Sequence, residues 1–462
     1  HLEDAVHCPI YGTPFLKNQP DGVVYFSDWA VSVKGNPKGT LTFKEGTYGI
    51  SSEILCYNNS VGDVILPQSL KVLGSEAFVK ILITKLEIPA GCTTIGRNVA
   101  CKCPFFTKYI VAESNPNYTA VDGILYSKDR KTLENYPSAK PGEVFVCPSG
   151  VEKVEEAAFS GNRYLKHIYF QEGVKSVGSN ALQDQPLESV SFPSSFTKSG
   201  LLLYGCNELK AVYCHATTPP IGHFPSYEYL TEKTLYVPAE AIDTYKNDKD
   251  WGKFGHFAAI ENLPFSIGGK DFDNAAINVI SAFLDGGNIT YDKDTKTITL
   301  DNAVINCSGS TNKYAFYVNS DGVKVNLVGD NTISASGVAG GMFLYDNAVI
   351  TGEGKLTVTS AHAKGVYFRG PATISGCTLD VTGYTRGIVG SYVGLQLRKG
   401  IWNTDLTIDN ASVTTQVTGN GYPTYNLKSL TLKNCGIVDP AGAVFDAEKH
   451  QIIGTDGNEV TG

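Results

Sequence analysis

Residues 150–159 read GVEKVEEAAF, and residues 173–182 read GVKSVGSNAL. The phrase also stands earlier, as SLKVLGSEAF (69–78) and GCTTIGRNVA (91–100). Each copy follows a short run of strand-forming residues. Those runs are VILP, LEIP, VFVCP, IYFQ, VSFP and VYCH, starting at 64, 86, 144, 168, 190 and 212, which gives steps of 22, 24, 22 and 22 wherever no insertion intervenes. A unit this short cannot bury its own apolar face, so it must stack on its neighbours, and a period of about 20–29 residues is that of one coil of a solenoid.

A second set of positions shares the register. Asn58, Cys103, Asn162 and Cys206 each stand three residues before an apolar residue: Val61, Phe106, Leu165 and Leu209. Asn and Cys exchange in one slot where a buried turn needs a small side chain that hydrogen-bonds backbone groups. This reading makes Cys103 and Cys206 structural. Cys92, Cys101 and Cys103 have no nearby His, and their spacing fits no zinc site, so no metal is expected. The 11 Cys are too scattered for a disulfide framework, and the sequence leaves open whether any of them pair.

VFVCPSGVEKVEEAAFSGNRYL resembles the BspA-type leucine-rich repeat of bacterial cell-surface proteins, and the resemblance runs from about Gly22 to Phe254. An inserted segment, 115–137, breaks the spacing. Its stretch Tyr126 to Leu133 reads as a strand, a polar turn and a return strand. TLYVPAEAIDTYKNDKDWGKF (234–254) reads as a strand ending at Pro238, then a helix with Ile242 and Tyr245 on one face and Trp251 beyond. A solenoid end needs such a cap. ENLPF (261–265) is the expected boundary between a repeat domain, 1–262, and a second domain, 263–462.

The second half is poorer in charge and richer in Thr, Gly and Val. ITYDKDTKTITLDNAVI (289–305) reads as a hairpin, and VKVNLVGDNTI, NAVITGEGKLTVTS, ATISGCTLDVTG, LTIDNASVTTQVTG and LKSLTLKNCGIV follow as alternating strands. Between them recur AFYV, GMFLY, GVYF and GIVG. Strand triplets joined by Gly- and Asn-rich corners predict a parallel β-helix, because those residues accept left-handed backbone angles. The phrases are similar to bacterial surface domains of carbohydrate-binding type, which implies polysaccharide contact without assigning residues to it. The expected fold class is therefore mainly β, with two tandem solenoids, a leucine-rich-repeat solenoid followed by a parallel β-helix. With 48 Gly and one Met in 462 residues, composition agrees.

A net charge of −8 without a basic cluster argues against nucleic-acid binding. No apolar run is long enough to span a bilayer. The chain begins at His1, its only Met is Met342, and HLEDAVHCPI lacks a signal-peptide layout. The expectation is an extracellular or bacterial cell-surface location, with an export signal removed or trimmed.

Catalysis on polysaccharide would need paired acids or an acidic metal cluster. Asp292 and Asp294 belong to a hairpin turn, Asp301 lies just beyond it, and His362, Arg369 and Arg386 read as solvated surface rather than an acid–base set. No catalytic residue and no cofactor is expected. If the outer residues of each repeat strand are apolar, the middle one faces the open sheet, giving Ile65, Glu87, Ile110, Phe145, Tyr169, Ser191 and Tyr213. The predicted ligand-binding set is Phe145, Tyr169, Tyr213, Ile110 and Glu87, though the insertion or a neighbouring domain could equally cover this face. The expected partner is a host surface or matrix protein, or a polysaccharide. A structural envelope spacer and a polysaccharide-degrading β-helix enzyme stay open as alternatives.

Overall fold

The computed structural model describes residues 10, 12–225, 227–308, 314–337, 340–390, 392–393, 401–402 and 404–460. Apart from Ile10, the segment HLEDAVHCPI lies outside the described residues. The chain is a mainly β solenoid of about 17 turns over residues 29–433, and it divides into two compact units, 1–260 and 261–462.

In the first unit the strands Val144–Val146, His167–Tyr169, Ser189–Phe192, Ala211–Cys214, Thr234–Val237 and His256–Ala259 form one sheet, each parallel to the next. Within this sheet Ile168, Val190, Val212 and Leu235 pair in register and are buried. Short strands run down a second side of the coils in two series. The first ends at Thr94–Ile95; the second starts at Tyr118–Val121 and continues through Lys153–Val154 and Ser176–Val177.

The repeat phrase carries a glycine at its sixth position because coils meet backbone to backbone there. A Cβ on Gly74 would lie 2.3 Å from the Ser52 nitrogen, and one on Gly178 would lie 2.4 Å from the Glu156 nitrogen. Glu155 fills that slot in GVEKVEEAAF, immediately after the insertion.

The buried turn works as its side chains require. Asn162 donates through Nδ2 to the Pro137 carbonyl at 2.9 Å, and its Oδ1 accepts from the Tyr164 and Leu165 amides, each at 2.9 Å. Asn58 accepts from Ser60 and Val61 in the same way. Where Cys replaces Asn, the thiol donates to one carbonyl: Cys103 to Phe78 at 2.9 Å and Cys206 to Leu182 at 2.8 Å. Asn115 plays this part for the insertion, bonding the Pro89 and Cys92 carbonyls and the Asn117 and Tyr118 amides. The ten described cysteines are all free thiols. Among the described residues no group of three or more His, Cys, Asp or Glu could hold a metal ion.

The insertion is a three-strand meander, Tyr118–Val121, Ile124–Ser127 and Thr132–Asn135, whose last strand rejoins the parallel series at Lys153–Val154. It also couples two cores. Side chains alternate along a strand, so Leu125 enters the core of the coils before the insertion while Ile124 and Tyr126 enter the core of those after it. At the far end, Thr234–Val237 leads into short helices at Ala239–Ala241, Ile242–Lys246 and Trp251–Lys253. These seat Tyr245 and Trp251 over the last coils, fully buried.

In the second unit, Gly286–Asp292 and Thr297–Cys307 form the expected hairpin. Coils of three strands follow. Phe316–Val318, Lys324–Val328 and Asp330–Ala335 pair in parallel with Met342–Leu344, Ala348–Gly352 and Lys355–Ser360, and those in turn with Lys364–Phe368, Ala372–Ser375 and Thr378–Gly383. Gly329 turns the corner between two strands of one coil with φ of 63°. The buried Asn331 beside it accepts from Ala303 and donates to Val328 and Lys355, so one amide ties three segments together.

Candidate binding faces

Strand register in the first unit fixes which side chains leave the sheet. Val146, Tyr169, Ser191, Tyr213, Tyr236 and Ala258 form one outward column. Phe145 does not belong to it. It pairs with the inward Ile168, is 8% exposed, and packs its ring 5.2 Å from Tyr136 and 5.3 Å from Phe159. The expectation for Phe145 is corrected because V-F-V is apolar throughout and carries no phase of its own. The phase comes from pairing with H-I-Y.

Tyr169 is half-buried, and Ser191 is recessed at 2% exposure. Tyr213 is 7% exposed, its ring stacked on Tyr236 at 4.5 Å and 17°. Thus Tyr169 and Tyr213 share a column, but Tyr213 presents little more than an edge. Glu87 and Ile110 are register partners in a separate two-stranded sheet. Ile110 is exposed, and the Lys85 ammonium holds Glu87 at 2.5 Å.

The second unit carries a column that sequence reasoning missed. In F-Y-V, M-F-L and V-Y-F the outer residues are buried and the middle one points out, so Tyr317, Phe343 and Tyr367 align in register. Their rings stand one strand spacing apart, with centroids 4.7 and 5.0 Å from the next and planes tilted by 31° and 22°. Tyr314 packs against Phe343 at 5.1 Å. Gly340 makes room for it, since a Cβ there would lie 2.4 Å from the Tyr314 ring. The usable sequence signal was an aromatic between two apolar residues, repeated at one coil spacing.

Cations border this ladder. The Lys364 ammonium lies 4.3 Å over the Tyr367 ring, the Arg369 guanidinium 4.2 Å over Tyr345, and the Arg386 guanidinium 4.3 Å over Tyr425. Lys364 and Arg386 are register partners. Burial first, and then the Arg386 charge, hold the Lys364 ammonium below the ordinary lysine range. Arg369 reaches Asp346 at 3.8 Å. His362 sits beside Tyr384 instead, so His362, Arg369 and Arg386 each address a different ring and do not assemble as an acid–base set. Asp292 accepts from the Asp294 and Thr295 amides, which is turn chemistry.

The fold and these faces define a repeat protein that displays extended sheet surfaces. Residues 34–120 and 139–242 match, in six copies, the family model described as BspA type leucine rich repeat region. Among solved structures, a leucine rich cell surface protein from Faecalibacterium prausnitzii is 23% identical, with 48% of this chain and 59% of that one covered and a TM-score of 0.39. A leucine-rich repeat protein from Eubacterium ventriosum is 22% identical, covering 48% and 66%, with a TM-score of 0.38. The pneumococcal vaccine antigen PcpA is 20% identical, covering 48% and 67%, with a TM-score of 0.35. This chain thus spans less than two thirds of the first two. Comparison with curated proteins gives no match.

Proposed function

We propose that this chain is a bacterial cell-surface binding protein built from two tandem solenoids, a leucine-rich-repeat unit and a parallel β-helix, and that its second unit holds a carboxylate-bearing polysaccharide. The observation that carries this reading is the Tyr317–Phe343–Tyr367 ladder bordered by Lys364 and Arg386. Ring edges offer apolar contact to sugar C–H groups, tyrosine hydroxyls donate and accept, and the two aligned cations supply charge-assisted hydrogen bonds to sugar carboxylates. The surface location draws support from the likeness to the leucine rich cell surface protein of Faecalibacterium prausnitzii.

Replacing Lys364 and Arg386 together by Gln is expected to weaken alginate binding by roughly tenfold per lost cation, since a hydrogen bond to a charged group contributes about 1.5–3 kcal/mol. Titration calorimetry against alginate, with neutral dextran as control, checks this; unchanged affinity would exclude the face. A host protein is the second reading, resting on the Tyr169–Tyr213–Tyr236 column of the first unit. Substituting Ser for Tyr169 and Tyr213 should weaken capture of matrix proteins several-fold while leaving alginate binding intact. A spacer would be silent in both assays, and an enzyme would release reducing ends or unsaturated products.

A further inference from the structure

The coils on either side of the insertion do not close on each other as the others do. Elsewhere, amides bond carbonyls of the next coil: Glu76, Phe78 and Lys80 to Arg97, Val99 and Cys101, then Ala157, Phe159 and Gly161 to Ser179, Ala181 and Gln183. Between these two series lies a cavity of about 170 Å³ bounded by residues 95–99, Tyr109, Leu125, Glu134, Asn135, Glu155 and Glu156. It opens where Glu155 occupies the slot that glycine fills in the other copies. Its volume far exceeds the ~10–15 Å³ that one water needs.

Its polar lining is mostly engaged already, and two acceptors stand out from the rest. Asn98 Oδ1 is buried with no hydrogen-bond partner. Asn135 Oδ1 already accepts from the Tyr109 hydroxyl at 2.9 Å. Arg97 engages Glu156, and Lys153 engages Glu155. Glu134 makes no ion pair with any described residue; burial first, and then the Glu155 charge, push it up to about 7 against the smaller opposing pull of the Lys153 ammonium, which itself pairs with Glu155. Val99 and Leu125 supply an apolar wall.

We propose that this cavity is a binding site for a primary alkylammonium group, its charge set on Glu134, one N–H donated to Asn98 Oδ1, and its alkyl stem against Val99 and Leu125. A metal ion fits poorly, because Glu155 and Glu156 are already paired. A guanidinium fits poorly too, because it favours a carboxylate open to two parallel hydrogen bonds, and the Glu156 carboxylate is already engaged by Arg97. The site is independent of the polysaccharide face proposed for the second unit.

The test is calorimetry on the full chain with n-butylamine, Nα-acetyl-lysine amide, tetramethylammonium and Ca²⁺. The two primary amines should bind and the two other cations should not; tighter binding of acetyl-lysine amide than of butylamine would mark a lysine side chain of a partner as the source, and the reverse a free amine. Glu134→Gln should weaken amine binding at least tenfold with an unchanged melting curve at pH 5, while Glu172→Gln, a surface carboxylate outside the cavity, should bind within threefold of the parent. Affinity should rise from pH 6 to pH 8, because only the ionised Glu134 attracts the cation and deprotonation proceeds through about 7; the charged side chains around it are Glu155, Glu156, Arg97 and Lys153. Equal binding of Ca²⁺, no amine binding at pH 8, or unchanged binding by Glu134→Gln would each overturn the proposal.

Discussion

Trp251→Ala is expected to cost the first unit about 3–5 kcal/mol, the range for removing a fully buried large aromatic side chain. Trp251 is inaccessible to solvent, and its ring meets Phe224 at 4.8 Å and Tyr245 at 5.4 Å, both nearly edge to face. Its indole Nε1 donates to the Pro220 carbonyl at 2.7 Å. Truncation would leave a cavity and orphan that carbonyl at once. Each coil draws its stability from its neighbours, so damage at the cap propagates inward. Urea melts followed by far-ultraviolet circular dichroism check this. Trp251→Phe keeps an aromatic ring and should lose only about half as much, since the indole hydrogen bond and part of the volume go. Equal melting of Trp251→Ala and the parent would show that the helical segment does not close the stack.

Asn162→Ala is expected to cost about 3 kcal/mol, because it strands two buried backbone groups and one half-buried one, and the penalty for a buried group is about 1–3 kcal/mol. Those groups are the Pro137 carbonyl and the Tyr164 and Leu165 amides. The chain supplies its own milder variant. Cys103 and Cys206 keep the donor but give up the amide oxygen, so Asn162→Cys should lose less than Asn162→Ala. Denaturant midpoints of the two variants check the order, and a reversal would mean that the slot selects for size rather than hydrogen bonding.

Much of the fold was legible because coil architecture writes itself as period. The 22-residue step, the Asn and Cys slot, the return strand reaching Leu133 and the cap around Tyr245 and Trp251 all rest on local pattern, and the structure has each of them. Phase was harder. Phe145 was misplaced because an all-apolar triplet fits the sheet in either sense, and only pairing with His167–Tyr169 decides between them. The ladder of Tyr317, Phe343 and Tyr367 is hidden for a related reason: AFYV, GMFLY and GVYF show the repeat, and strand register alone decides which residue faces out. The cavity beside Glu134 was beyond reach in a different way. Glu155 in a glycine slot is visible by alignment, but its consequence depends on the strand Thr132–Asn135, which the insertion delivers from outside the repeat.

The proposed function rests on aligned side chains of adjacent coils holding a ligand that the protein does not transform. The most direct measurement is titration of alginate into the full chain and into its Lys364→Gln, Arg386→Gln variant, with reducing ends and unsaturated products assayed in the same cells. Saturable binding by the parent, roughly a hundredfold weaker in the double variant and without product in either, is the predicted result. Product formation, or equal affinity of the two proteins, would contradict it.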